Sequence, residues 1–244
     1  MHGLGEHSGR YEHVARFFVQ RGYTVALPDL RGHGRSGGPR GHATGFDQLS
    51  GDLAAFVAAV QEHLTSGPRL LYGHSMGGSI ALWHALRRRH EFDGLIASSP
   101  GLRPAVPPKG WKLALSRLLG RVLPRLAFSS DLDGSAISRD PAVVRAYETD
   151  PLVHATITSA LARSLIECGE RLVAKGGDFG TPLLLMHGEA DRVTSCEATR
   201  ILAERVTSPV TLKLWPGFYH ELHNEPEREQ VLEFVVSWIG SHGT

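Results

Sequence analysis

The sequence predicts an α/β fold, a mostly parallel sheet flanked by helices and interrupted by a helical insertion. Three observations predict it. Apolar, strand-like runs alternate with helical patterns along the chain. One apolar run passes through a glycine-rich turn into a run of small residues that can start a helix. The strand pattern then stops between about Pro100 and Gly180 and resumes at Leu183. At 244 residues, 41% hydrophobic and 21% charged, the chain has the size and composition of one enzyme-sized domain with a large core.

The elements follow in order. Tyr23-Thr24-Val25-Ala26-Leu27 reads as a strand, and Phe46 to Leu64 as a helix with Leu49, Leu53, Phe56, Val57 and Val60 on its apolar stripe. Leu70 to Tyr72 and Gly94 to Ser98 are the next strands. Prolines 104, 107 and 108 mark the start of the insertion. Pro182 to Met186 and Val210 to Trp215 complete the strands. The expected organisation is a sheet-bearing core over 1–100, a helical cap over 101–180 and the rest of the core over 181–244, with no internal repeat.

The chemistry centres on Leu70-Leu71-Tyr72-Gly73-His74-Ser75-Met76-Gly77-Gly78-Ser79-Ile80-Ala81. An apolar strand, then G-x-S-x-G, then small residues is the context a nucleophile elbow requires. Gly73 and Gly77 leave room for a sharp turn. The helix N-terminus beyond favours developing negative charge. Without that context the motif is merely a glycine-rich strand-to-helix loop.

A serine nucleophile needs a histidine to take its proton and a carboxylate to orient that histidine, in the chain order Ser, acid, His. Leu183 to His187 leads into Gly188-Glu189-Ala190-Asp191-Arg192. Asp191 lies beyond the strand end and is the expected acid; Glu189 competes with it. A helix N-cap near Ser195 would explain Asp191 without chemistry. After Trp215 comes Pro216-Gly217-Phe218-Tyr219-His220-Glu221-Leu222-His223. Of 14 histidines, His220 is singled out as the first beyond that strand. A zinc reading of His220 and His223 lacks H-E-x-x-H or paired cysteines. An acyl-transfer site also needs two oxyanion donors, here the backbone N–H of Met76 and that of Leu4 in His2-Gly3-Leu4-Gly5-Glu6-His7-Ser8-Gly9-Arg10-Tyr11.

HGLGEHSGRY, the loop Asp29-Leu30-Arg31-Gly32-His33-Gly34-Arg35-Ser36, GHSMGG and the turns at Asp191 and His220 together resemble the monoacylglycerol lipase and lysophospholipase branch of the α/β-hydrolases, from His2 to about Trp238. The resemblance implies Ser75, Asp191 and His220 as catalytic triad and Leu4 and Met76 as oxyanion donors. It implies a substrate-binding set of Glu6, Arg10, His74 and Tyr147, in which Glu6 and Arg10 shape a polar head-group end. Tyr147 matches the family's cap tyrosine before an Asp-Pro pair. The implied reaction is cleavage of a monoacylglycerol or similar single-chain lipid ester, with no metal and no cofactor. Lysophospholipase, general carboxylesterase and acyltransferase activities are the alternatives among enzymes. A non-catalytic hydrolase-fold ligand binder is the alternative of another class.

The sequence departs from the family's pattern at its start. Relatives run an apolar strand straight into the HG loop, whereas this chain starts at Met1-His2. The expectation is a truncated chain, lacking an interior strand between the one ending near Pro28 and the one ending at Tyr72.

A net charge of +1 argues against nucleic acid as the main partner. Cys168 and Cys196 form no disulfide framework and fit a cytoplasmic, reducing setting. The start leaves a secretory leader open, and composition is silent on oligomeric state. Residues 101–130 carry Arg103, Lys109, Lys112, Arg117, Arg121 and Arg125 with no acid among them. Trp111, Leu115, Leu118, Val122 and Leu126 share a helical face, with Pro124 ending or kinking the helix. That face serves either peripheral membrane contact or packing of a cap helix onto the core.

Overall fold

The computed structural model describes residues 1–64 and 67–242; the side chain of Lys112, one of the six basic residues above, lies outside the described set. The chain begins with a loop and helix α1 (Glu12–Val19), followed by α2 (Phe46–Val60), which tightens into a 3₁₀ turn at Gln61–His63. Strand β1 (Leu70–His74), helix α3 (Met76–Ala85) and strand β2 (Gly94–Ser98) follow. The segment to residue 180 holds α4 (Gly110–Val122), β3 (Ala127–Ser129), α5 (Pro141–Thr149), β4 (Thr156–Thr158) and α6 (Ser159–Lys175). Then come β5 (Leu183–Gly188), α7 (Cys196–Arg205), β6 (Val210–Trp215) and α8 (Arg228–Ser241).

The main sheet is parallel, in the order β1-β2-β5-β6. Strands β2 and β5 are buried along their whole length, which is why GLIAS and LLLMHG read as continuous apolar runs rather than alternating ones. Leu183, Leu184 and Leu185 are all fully buried, each worth about 1.5–3 kcal/mol of transfer free energy. Helix α3 is buried on every side between β1, β2, α2 and α6, so its sequence is apolar or small apart from His84, whose ring meets the Ser50 hydroxyl at 2.9 Å. Ser75, Gly188 and Trp215 lie at the carboxyl ends of their strands, or directly beyond. Loops at that edge of an open parallel sheet form its ligand crevice.

Two expectations change. Tyr23–Leu27 joins no ladder. Beside β1 lies Met1 instead, whose carbonyl accepts the His74 N–H at 3.0 Å and whose nitrogen donates to the Tyr72 carbonyl at 2.5 Å. Tyr23 and Leu27 pack through their side chains, so β-propensity there reports burial rather than pairing. Second, the insertion contains a short antiparallel ribbon, β3 with β4, too short for alternation to register in the sequence. Helix α4 ends at Val122, just ahead of Pro124 as expected, and of the two uses left open for its apolar face, packing onto the core is not the one seen. Trp111, Leu118 and Val122 are 62%, 57% and 65% exposed, and Leu115 and Leu126 are exposed as well. The helix instead meets α6 through Gly120, where a Cβ would stand 2.7 Å from the Ser159 carbonyl oxygen.

Candidate active site

Ser75 sits between β1 and α3 with φ 52° and ψ −121°, a conformation that costs a non-glycine residue about 1–3 kcal/mol. The surroundings leave no other path. A Cβ at Gly73 would lie 2.4 Å from the Gly77 carbonyl oxygen, and one at Gly77 would lie 2.5 Å from the carbonyl oxygens of Met1 and His2. The glycines of G-x-S-x-G are therefore demanded by close backbone approach. Met76 is the first residue of α3, so its N–H is among those a helix leaves without an internal partner.

Asp191 and His220 are brought together from the ends of β5 and β6. His220 Nδ1 lies 2.8 Å from Asp191 Oδ2. Asp191 Oδ1 accepts the N–H groups of Val193 and Thr194 at 2.7 and 2.9 Å, and Oδ2 accepts the Thr194 hydroxyl at 2.9 Å. Asp191 thus folds its own turn and is not the cap of α7, a role Ser195 takes. Burial would push the Asp191 carboxyl up, but His220 and a hydrogen bond from His187 hold it well below the usual carboxylate range. Burial favours a neutral His220 ring, yet the charge and hydrogen bond of Asp191, followed by Glu221 and Glu6, raise its pKa above 6.5. Glu189, the competing acid, instead faces solvent and pairs with Arg200 at 2.6 Å.

Ser75 and His220 line one cleft with Gly3, Leu4, Tyr147 and Ile137. Leu132 adds to its apolar wall, while His74, Glu6 and Glu221 form the polar end. Arg10 stands behind that end. It donates to Glu6 Oε2 at 2.5 Å and to both oxygens of Glu221 at 2.6 and 2.7 Å, and its guanidinium lies 4.8 Å over the Tyr147 ring. Glu6 also accepts the Gly3 N–H at 2.5 Å and the Tyr11 hydroxyl at 2.8 Å, so it braces the loop that carries Leu4. Glu6, His74 and Glu221 offer three ligand-type atoms within 4.8 Å of one another, but Arg10 already supplies the positive charge between the two carboxylates.

His74 is buried with its ring centroid 4.7 Å from that of His220. Burial, then the neighbouring His220, pushes its pKa well down. His223 is buried in a 3₁₀ turn and stacks on Tyr11 at 4.5 Å. Sequence reasoning missed Leu132, Ile137 and, above all, Glu221 among the cleft residues. The available signal was an acid beside the candidate base, but its partner Arg10 lies 211 positions away.

A parallel sheet that presents a strained serine after one strand, an acid after another and a histidine after the last defines an α/β-hydrolase. The model of the family described as serine aminopeptidase, S33 matches residues 1–227. The chain is 40% identical over 244 residues to a monoacylglycerol lipase of Mycolicibacterium smegmatis, covering 99% of this chain and 86% of that one. It is 40% identical over 242 residues to an abhydrolase domain-containing protein of Dictyostelium discoideum, covering 98% of this chain but only 26% of that longer protein. Among solved structures, a monoacylglycerol lipase of Paleococcus ferrophilus superposes with a TM-score of 0.92 at 34% identity, covering 99% of this chain and 93% of that one. The chain belongs to the serine aminopeptidase S33 family, in its monoacylglycerol lipase branch.

Proposed function

We propose that this chain hydrolyses the ester of a monoacylglycerol, or a similar single-chain lipid, through an acyl-enzyme on Ser75. The observation that carries the reading is the strained Ser75 turn sharing one cleft with the Asp191–His220 pair. The names of the relatives above support the substrate class.

In this reading His220 takes the Ser75 proton as Oγ attacks the ester carbonyl carbon. The developing oxyanion is held by the N–H groups of Leu4 and Met76. Asp191 stabilises the imidazolium. His220 then protonates the departing glycerol oxygen, the C–O bond breaks and the acyl group stays on Ser75. Water, deprotonated by His220, attacks the acyl carbon; the bond to Ser75 Oγ breaks, His220 returns the proton to Oγ, and the fatty acid leaves. Glu6 and Glu221 offer acceptors to glycerol hydroxyls, with Arg10 bonded to both carboxylates and Tyr147 and His74 closing the polar end. Leu132 and Ile137 give the acyl chain apolar contact.

The segment between β2 and β5 is the cap over 101–180, seated on the core by α6, which packs against both α3 and α7. Its exposed face of Trp111, Leu115, Leu118 and Val122, flanked by Lys109, Arg121 and Arg125, suits shallow insertion at an anionic lipid surface. Among the described residues no helix is long and apolar enough to cross a membrane. Cys168 and Cys196 are free, which supports a reducing, cytoplasmic setting. The test is release of glycerol and fatty acid from a monoacylglycerol by the purified chain, compared with Ser75→Ala. Absence of turnover on monoacylglycerol, with turnover of a lysophospholipid, would move the assignment to lysophospholipase.

A further inference from the structure

His187 is the penultimate residue of β5 and is fully buried in a strand otherwise apolar up to Gly188. A polar ring there needs a reason, because a buried polar group without partners costs stability. Its Nε2 lies 3.0 Å from Asp191 Oδ2 and 3.2 Å from the Thr194 carbonyl oxygen. Both of those oxygens are acceptors only, and the third neighbour, the Thr194 hydroxyl at 3.3 Å, gives its proton to Asp191 Oδ2 at 2.9 Å, so a ring lone pair there would meet no donor. Nε2 must therefore carry hydrogen. The other nitrogen, Nδ1, lies 2.8 Å from the hydroxyl of Thr199, itself fully buried on α7. With hydrogen on Nε2, the neutral ring leaves Nδ1 to accept from that hydroxyl, so the Thr199 bond complements the Nε2–H tautomer.

We propose that His187 is a positioning residue for the proposed charge pair: its Nε2–H, with Thr199 engaging the other ring nitrogen, braces the Asp191 carboxylate and the 191–194 turn from the end of β5. The bond to His220 has a definite direction only if the carboxylate cannot rotate. The backbone N–H groups of Val193 and Thr194 hold Oδ1, while His187 and the Thr194 hydroxyl steady Oδ2, the oxygen that His220 uses. A donor on Asp191 also withdraws part of its charge from His220. Removing that donor strengthens the pull of Asp191 on the imidazolium and moves the titration of His220 towards alkaline pH. The groups facing the pair from neighbouring elements, His74, Glu6, Glu221 and His223, stay in place in the variants below.

This inference rests on the serine-hydrolase reading, and the experiment separates the two. Three variants are compared with wild type for folding, for Ser75 labelling by a fluorophosphonate and for the pH dependence of kcat and kcat/KM on a p-nitrophenyl ester. They are His187→Phe, His187→Gln, whose amide nitrogen can replace Nε2, and Thr199→Val. Loss of a hydrogen bond to a charged group predicts a fall in kcat of about 10- to 100-fold for His187→Phe, with KM little changed. Its acid limb should move up by about half a pH unit or more. His187→Gln should recover most of both, and Thr199→Val should fall between. Histidine-selective ¹⁵N spectra of the wild type should show the Nε2–H tautomer at His187, a readout that needs no variant to fold. An Nδ1–H tautomer, or a folded His187→Phe with the wild-type pH profile, overturns the inference while leaving the hydrolase reading intact. Failure of wild-type Ser75 to label overturns the hydrolase reading itself.

Discussion

Arg10 holds Glu221 through both terminal nitrogens, at 2.6 and 2.7 Å, and thereby ties the loop after Gly3 to the loop that presents His220. The same guanidinium holds Glu6, whose carboxylate accepts the Gly3 N–H. One cation thus links the segment bearing Leu4 to the segment bearing the candidate base. All three side chains are less than a tenth exposed, so the charges interact with little solvent screening.

Arg10→Ala should therefore weaken the fold as well as the site, because it leaves two buried carboxylates without their cation. A loss of about 3–5 kcal/mol is expected from breaking a buried charge network. Urea unfolding of the variant measures it. A destabilisation below about 1 kcal/mol, the range of exposed pairs, would show that the network is energetically idle.

The pH dependence has a definite sign. His220 must be neutral to accept the Ser75 proton, and its pKa is raised above 6.5 by Asp191 first and Glu221 next. Activity should thus fall as pH drops through a midpoint above 6.5. Glu221→Gln removes one of the raising charges, so its kcat/KM profile should move towards acid pH. A profile that stays put or moves the other way would remove Glu221 from the electrostatics of the base.

Asp191→Asn should reduce kcat strongly, by about 10⁴-fold if it behaves as the equivalent change does in a serine protease. Glu189→Gln should stay within about twofold, since Glu189 is at the surface with Arg200. Steady-state kinetics of the two variants decides the matter, and a larger effect at Glu189 would reassign the acid.

The exposed face of α4 predicts binding to anionic vesicles. Replacing Leu118 and Val122 by serine should weaken it through lost apolar burial. Neutralising Arg121 and Arg125 should weaken it by about 1 kcal/mol each. Arg117 should matter less, because it is already engaged by Glu170 at 2.6 and 2.7 Å. Vesicle sedimentation at low and high salt reads each effect, and binding that ignores all four changes would leave the face without this role.

Much of the site was legible because it is built at strand ends. An apolar run followed by a polar turn locates Ser75, Asp191 and His220 without knowledge of distant contacts. Glu221 and His187 were not legible for the same reason: their roles come from partners set by the fold, Arg10 for one and the Asp191 turn for the other. Periodicity gave α4 an apolar face but could not say whether that face turns towards the core or towards solvent. At Tyr23–Leu27 the pattern of a strand was present while the hydrogen-bonded neighbour was Met1 beside β1 instead, and only pairing makes a strand. The three-residue strands β3 and β4 are too short to leave a period-2 signal.

The central claim is that Ser75 is a nucleophile activated by His220 and Asp191. The most direct measurement is the mass of the purified chain after exposure to a fluorophosphonate, followed by sequencing of the modified peptide. The account predicts one adduct per chain, on Ser75, with labelling slowed strongly in Asp191→Asn and His220→Ala and absent in Ser75→Ala. Labelling that persists in Ser75→Ala, or a wild-type chain that takes up no adduct while folded, would contradict it.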